Sequence, residues 1–249
     1  MKKFLIWDLP TRLFHWGFTA SISLSFIFAL AVDDHSPLFQ LHMLFGLVAA
    51  FLLVLRLAMG LFGSRYSRFA NFPVGPRATI AYFAGILTGR AKKFAGHNPG
   101  SALATLAMLG LVPVVVLTGA IGSGETFEEV HEVAAYVLLG VIGAHLLGLV
   151  LHTLRHRENI AFSMVDGKKA VAPNEAIASS HSIWGAAFGI AALAWVVALF
   201  SNHDTPAATV RLPLVGTVIQ LGENEGGERD GRMRGKNERQ RNHGDHDDD

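Results

Sequence analysis

The 249-residue chain is 51% hydrophobic and only 16% charged, and 17 of its 41 charged side chains lie after Phe200. The first 200 residues hold the other 24, too few for a domain that faces water all round, where about 25% is usual; composition already says integral membrane protein. A formal net charge of +1 argues against nucleic acid as a partner, and the absence of cysteine excludes disulfides, thiolate-bound iron–sulfur clusters and a cysteine nucleophile.

A spanning helix needs roughly 20 mostly apolar residues. Five segments qualify in chain order: Leu13–Val32, Phe39–Phe62, Ser101–Ile121, Val130–Thr153 and Ser182–Phe200. No run of strand alternation suggests a β-barrel, so the membrane part is expected to be all α. Between the second and third helices, Ala78–Thr88 is apolar but too short to cross and reads as an interfacial helix. The domains expected are a four-helix bundle over 1–170, a linker and fifth transmembrane helix over 171–201, and a polar, largely disordered tail over 202–249.

Basic residues set the orientation. Lys2, Lys3 and Arg12 flank the first helix; Arg65, Arg68, Arg77, Arg90, Lys92 and Lys93 fill the second connection; Arg155, Arg157, Lys168 and Lys169 follow the fourth helix. The alternate connections hold Asp33, Asp34, Glu125, Glu128 and Glu129 and no Lys or Arg. The N-terminus is therefore expected in the cytoplasm, and five spans would put the C-terminus in the periplasm of a multi-pass inner-membrane protein. Ala29-Leu30-Ala31 resembles a signal-peptidase site, but the polar stretch Trp7–Arg12 ahead of the apolar run does not suit a leader.

Twelve histidines in so apolar a chain are the anomaly. Ionisable residues within spans are costly and default to functional candidates; His15, His42, His131, His145 and His152 qualify. His131 and His145 are 14 residues apart, about 21 Å along a helix and within roughly 40° of one face. With alternating helix directions, His42 shares the depth of His131, and His15 that of His145. Paired imidazoles without thiolates suit bis-histidine haem b. One such group at each depth would place two irons about 20 Å apart. His152 is an alternative to His145, although it adjoins Arg155 and His156 at the interface. His35, His97, His156, His181 and His203 lie near predicted ends and read as solvated.

Arg56, 14 residues after His42, reaches the depth of the second pair. It could bind a haem propionate bidentately or snorkel to the interface; Arg12 is a second propionate candidate. Glu132 beside His131 reads as water-facing. Gly46, Gly140 and Gly143 would admit a flat macrocycle or close helix packing.

The chain resembles the bacterial cytochrome b561 family, which includes the b-type cytochrome subunits of nickel–iron hydrogenases and membrane formate dehydrogenases. The residues that carry the resemblance are Trp7-Asp8-Leu9-Pro10-Thr11-Arg12-Leu13-Phe14-His15-Trp16, His42 with Gly46, and Arg56-Leu57. Further on come Gly96-His97-Asn98-Pro99-Gly100, and His131 with His145 followed by Arg155. The likeness covers about residues 5 to 170. It implies a four-helix haem-binding core, two haems b on His15, His42, His131 and His145, and exchange with the quinone pool. Met59 stands where the family usually has tryptophan, and Ser101 where a second glycine is usual.

The expected protein is thus a lipid-embedded electron-transfer subunit. Its two haems would pass electrons between quinone or quinol and an extracytoplasmic redox protein, a hydrogenase, a dehydrogenase or a c-type cytochrome. It could have quinone oxidoreductase activity; a stand-alone quinol oxidase is a weaker version. The rival class is a proton- or metal-coupled transporter that uses the histidines as relays or ligands, against which stands the lack of repeated halves or broken helices.

Overall fold

The computed structural model describes residues 2–90, 92–122, 124–156 and 159–222. Its principal helices are α1 (Leu9–Ala31), α2 (Gln40–Phe62), α3 (Pro76–Thr88), α4 (Pro99–Ala120), α5 (Glu125–His156), the single turn α6 (Ser163–Asp166) and α7 (Ser182–Ser201). Five of these, α1, α2, α4, α5 and α7, are long and apolar enough to cross a membrane. The spans expected from sequence are all present, with ends moved by up to five residues. α5 starts at Glu125 because its first turn accepts acidic residues, which favour a helix N-terminus.

Local chemistry starts the helices. Asp8, only 3% exposed, caps α1 by accepting a bond from the Thr11 backbone N–H at 2.9 Å, with Pro10 in the first turn. Asn98 and Ser101 form a reciprocal capping box on α4: Ser101 N donates to Asn98 Oδ1 at 2.8 Å and Asn98 N to Ser101 Oγ at 3.0 Å. A serine in place of the usual glycine therefore has a function here. Met59, the other departure, packs partly buried against the main core cluster.

α1 with α2 and α4 with α5 form two antiparallel hairpins. They meet chiefly through α2 against α4, while α1 and α5 scarcely touch. α7 packs on α1 and α2. Its start is fixed beside that of α1, where Leu9 N donates to the Ser180 carbonyl at 2.8 Å. Leu44, Leu47, Val48, Leu52, Leu109, Val112 and Leu138 fill the bundle interior.

Two small sheets close the ends. At the end that carries Lys2, β1 (Phe4–Leu5) pairs antiparallel with β2 (Lys168–Lys169), Phe4 opposite Lys169. Gly167 enters β2 at φ +77°, and a Cβ there would fall 2.8 Å from the Trp7 carbonyl oxygen, so only glycine fits. At the end that carries Asp33, β3 (His203–Asp204), β4 (Thr209–Arg211) and β5 (Val218–Gln220) form an antiparallel sheet in sequence order. Residues 203–220 of the segment expected to be polar and largely disordered carry these three strands. Val210, Ile219 and Leu221 are buried in the main cluster, and Gln40 Nε2 on α2 donates to the Thr205 carbonyl at 3.2 Å. The tail residues from 223 onward, with Arg229, Arg232, Arg234, Lys236, Arg239, Arg241, His243 and His246, lie outside the described residues.

Candidate functional site

α2 and α5 bring His42 and His131 together at the Asp33 end. The ring centroids are 6.0 Å apart and the planes are at 88°. Two imidazoles from different helices at one depth could together hold a metal-bearing group. His42 Nδ1 lies 3.0 Å from the Ser25 carbonyl oxygen and 3.0 Å from Ser25 Oγ. His131 Nδ1 lies 2.8 Å from the Val115 carbonyl oxygen. A carbonyl only accepts, so each Nδ1 carries the ring proton and donates it. In a neutral imidazole the lone pair is then on Nε2, the nitrogen a metal would take.

The surroundings are apolar. Ile22, Phe26, Ala49, Val112, Val116, Ala135 and Leu138 line a crevice with the two histidines, Ser25 and Gly46. Gly119, unremarked in the sequence, is essential to it: a Cβ there would sit 2.7 Å from Cε1 and Nδ1 of His131. The ring can lie against α4 only because that position has no side chain. At Gly46 a Cβ would meet nothing nearer than Ser25 Oγ at 4.0 Å, and at Gly140 and Gly143 nothing within 4 Å. Helix packing within the chain does not account for those glycines.

Toward the Lys2 end, His15 on α1 and His145 on α5 lie within electrostatic reach of each other. His15 Nδ1, Arg12 Nε and Thr11 Oγ1 are buried there without a hydrogen-bond partner. The orphaned Nε–H of Arg12 is what an anionic edge of a prosthetic group seated between the hairpins would leave behind. The imidazole donors, apolar walls and orphaned guanidinium N–H together fit haem.

Arg56 is only 2% exposed, enclosed by the protein. Its Nη1 donates to the Ser67 carbonyl at 2.9 Å, and its guanidinium carbon lies 4.7 Å from the Phe69 ring centre, 5.7 Å from that of Phe14 and 6.0 Å from that of Phe72. Such a cage stabilises a cation in an apolar setting. Arg12 Nη1 donates to the Val165 carbonyl at 2.7 Å, which leaves its Nε for another partner.

His97 is not the solvated residue expected. Its ring packs edge-on to Trp7 at 5.0 Å and against Phe72 at 4.4 Å. Burial, with help from the nearby charges of Arg56 and Lys169, pushes its pKa down to about 3, so it stays neutral. His203 also departs from expectation: its Nε2 donates to Gln40 Oε1 at 2.6 Å. His35 and His181 are exposed as expected. His152 lines a polar crevice at the Lys2 end with Lys93, Phe94, Ala95, Lys169 and Glu175.

Apolar helices long enough to cross a membrane, with histidines facing each other between them, are what a membrane haem protein needs. Residues 6–167 match the family model described as prokaryotic cytochrome b561, and the chain belongs to that family. No curated protein and no solved structure matches it. Family membership and the five apolar helices make it a multi-pass membrane cytochrome of electron transfer that binds haem b, and the transporter reading falls.

Proposed function

We propose that the chain carries two haems b, one on His42 and His131 near the Asp33 end and one on His15 and His145 toward the Lys2 end. The observation that most supports this is the His42–His131 pair, 6.0 Å apart with both Nδ1 atoms tied to backbone carbonyls. Bound haem would supply reversible one-electron chemistry at its iron. The protein would hold each imidazole in one tautomer, exclude water with the aliphatic walls, and offset propionate charge with Arg56 and Arg12.

Electrons would pass between quinone at the Lys2 end and a redox protein at the Asp33 end. In this reading the Lys2 end is cytoplasmic, the Asp33 end periplasmic and the membrane the bacterial inner membrane. The basic connection 63–100 supports that orientation. The crevice beside Lys93–Ala95 and His152, next to the Gly96–Gly100 turn, supports the quinone placement. Haem per chain in His15→Ala, His42→Ala, His131→Ala and His145→Ala tests the assignment: each is expected to lose one haem and keep the other. Retention of both haems in His145→Ala with loss of one in His152→Ala would overturn the ligand on α5.

A further inference from the structure

The two ends of the bundle treat their histidines differently. His42 has Ser25 and His131 has the Val115 carbonyl as partners for Nδ1, whereas Nδ1 of His15 is buried with none. One turn earlier on the same face of α1 stands Thr11, 6% exposed, whose hydroxyl is also buried and unpartnered. A helical serine or threonine hydroxyl commonly returns to the carbonyl four residues back. In this chain Ser21 does so to Gly17 at 2.8 Å, Thr88 to Ala84 at 2.8 Å and Thr118 to Val114 at 2.7 Å. Thr11 stands in the first turn, where the residue four back, Trp7, precedes the Asp8 cap, and that cap bonds its backbone N–H, not its hydroxyl. A buried hydroxyl left unused is unfavourable, which argues that it has a partner in the loaded protein.

We infer that Thr11 is the positioning residue of His15: when the haem of that pair is seated, Oγ1 of Thr11 accepts the Nδ1–H of His15. The spacing i, i+4 brings the two side chains together on the helix face. With Nε2 taken by the iron the ring proton is on Nδ1, and the hydroxyl, which can accept as well as donate, would receive it and hold the ring's orientation. Loss of such an outer partner typically weakens metal binding 10- to 100-fold. The inference rests on His15 being an axial ligand.

Thr11→Val keeps shape and removes the hydroxyl; Thr11→Ser restores it. In full-length protein titrated with haem, Thr11→Val is expected to bind the His15 haem about tenfold or more weakly. It should also shift that haem's low-spin EPR signal, leave the His42 haem unchanged, and revert in Thr11→Ser. No change at either haem, equal loss of both, or a changed potential with an unchanged EPR signal, the mark of a propionate contact, would each overturn the inference. His15→Ala separates the two levels: if it keeps both haems the ligand assignment fails, and if it loses one while Thr11→Val behaves as wild type, only the role of Thr11 fails.

Discussion

Gly119→Ala isolates what places the His131 ring. The added methyl would lie 2.7 Å from Cε1 and Nδ1, where ordinary contact begins at 3.4 Å, so ring or helix must give by about 0.7 Å. The ring cannot retreat freely, because its Nδ1 is bonded to the Val115 carbonyl at 2.8 Å on the same helix as Gly119. Overpacking of this size costs about 1–3 kcal/mol, and loss of the Nδ1 bond adds about 0.5–1.5 kcal/mol. A perturbed outer bond weakens metal affinity 10- to 100-fold. The expected outcome is selective depletion of the His42–His131 haem, read by haem titration and low-temperature α-band spectra, with the other haem retained. An unchanged affinity and spectrum for both haems would refute the reasoning.

Arg56→Gln should lower the midpoint potential of the His15–His145 haem by tens of millivolts, on the order of 1 kcal/mol, because a buried cation favours the reduced, more negative site; redox titration with both potentials unchanged would place no propionate there. His97 stays neutral in the fold down to about pH 3 but takes up a proton near pH 6.5 when unfolded. The stability linked to it is complete above pH 6.5 and falls with acid by at most about 1.4 kcal/mol per pH unit, a slope that thermal melts between pH 7 and 4.5 should find reduced in His97→Phe. Deletion of residues 222–249 should leave both haems and quinone reactivity intact and at most slow exchange with the external partner at low salt; loss of a haem would contradict this. A reporter that matures only in the periplasm should be active when fused after Asp249, whereas activity of a cytoplasm-only reporter would mean that α7 does not cross.

The spans were legible because about 20 apolar residues in a row leave no alternative. The depth arithmetic that set His42 against His131 follows from helix rise alone, and the rings do lie 6.0 Å apart. What escaped depends on contacts between distant segments. His97 looked solvated at a helix end, and its enclosure comes from Trp7 and Phe72, 90 and 25 residues away. Gly119 was one glycine among 26, and only the approach of His131 distinguishes it. The sheet over 203–220 is built from strands of two or three residues, too short for a period of two to show. Its stability comes from Val210, Ile219 and Leu221 packing on the bundle.

The central claim is two haems b held by two histidine pairs in one chain. A dithionite-reduced minus oxidised spectrum of the purified full-length protein, with haem quantified per chain, tests it most directly. The account predicts b-type bands, two haems per chain and reduction in two separable steps. A single haem per chain, or a folded protein with none, would contradict it.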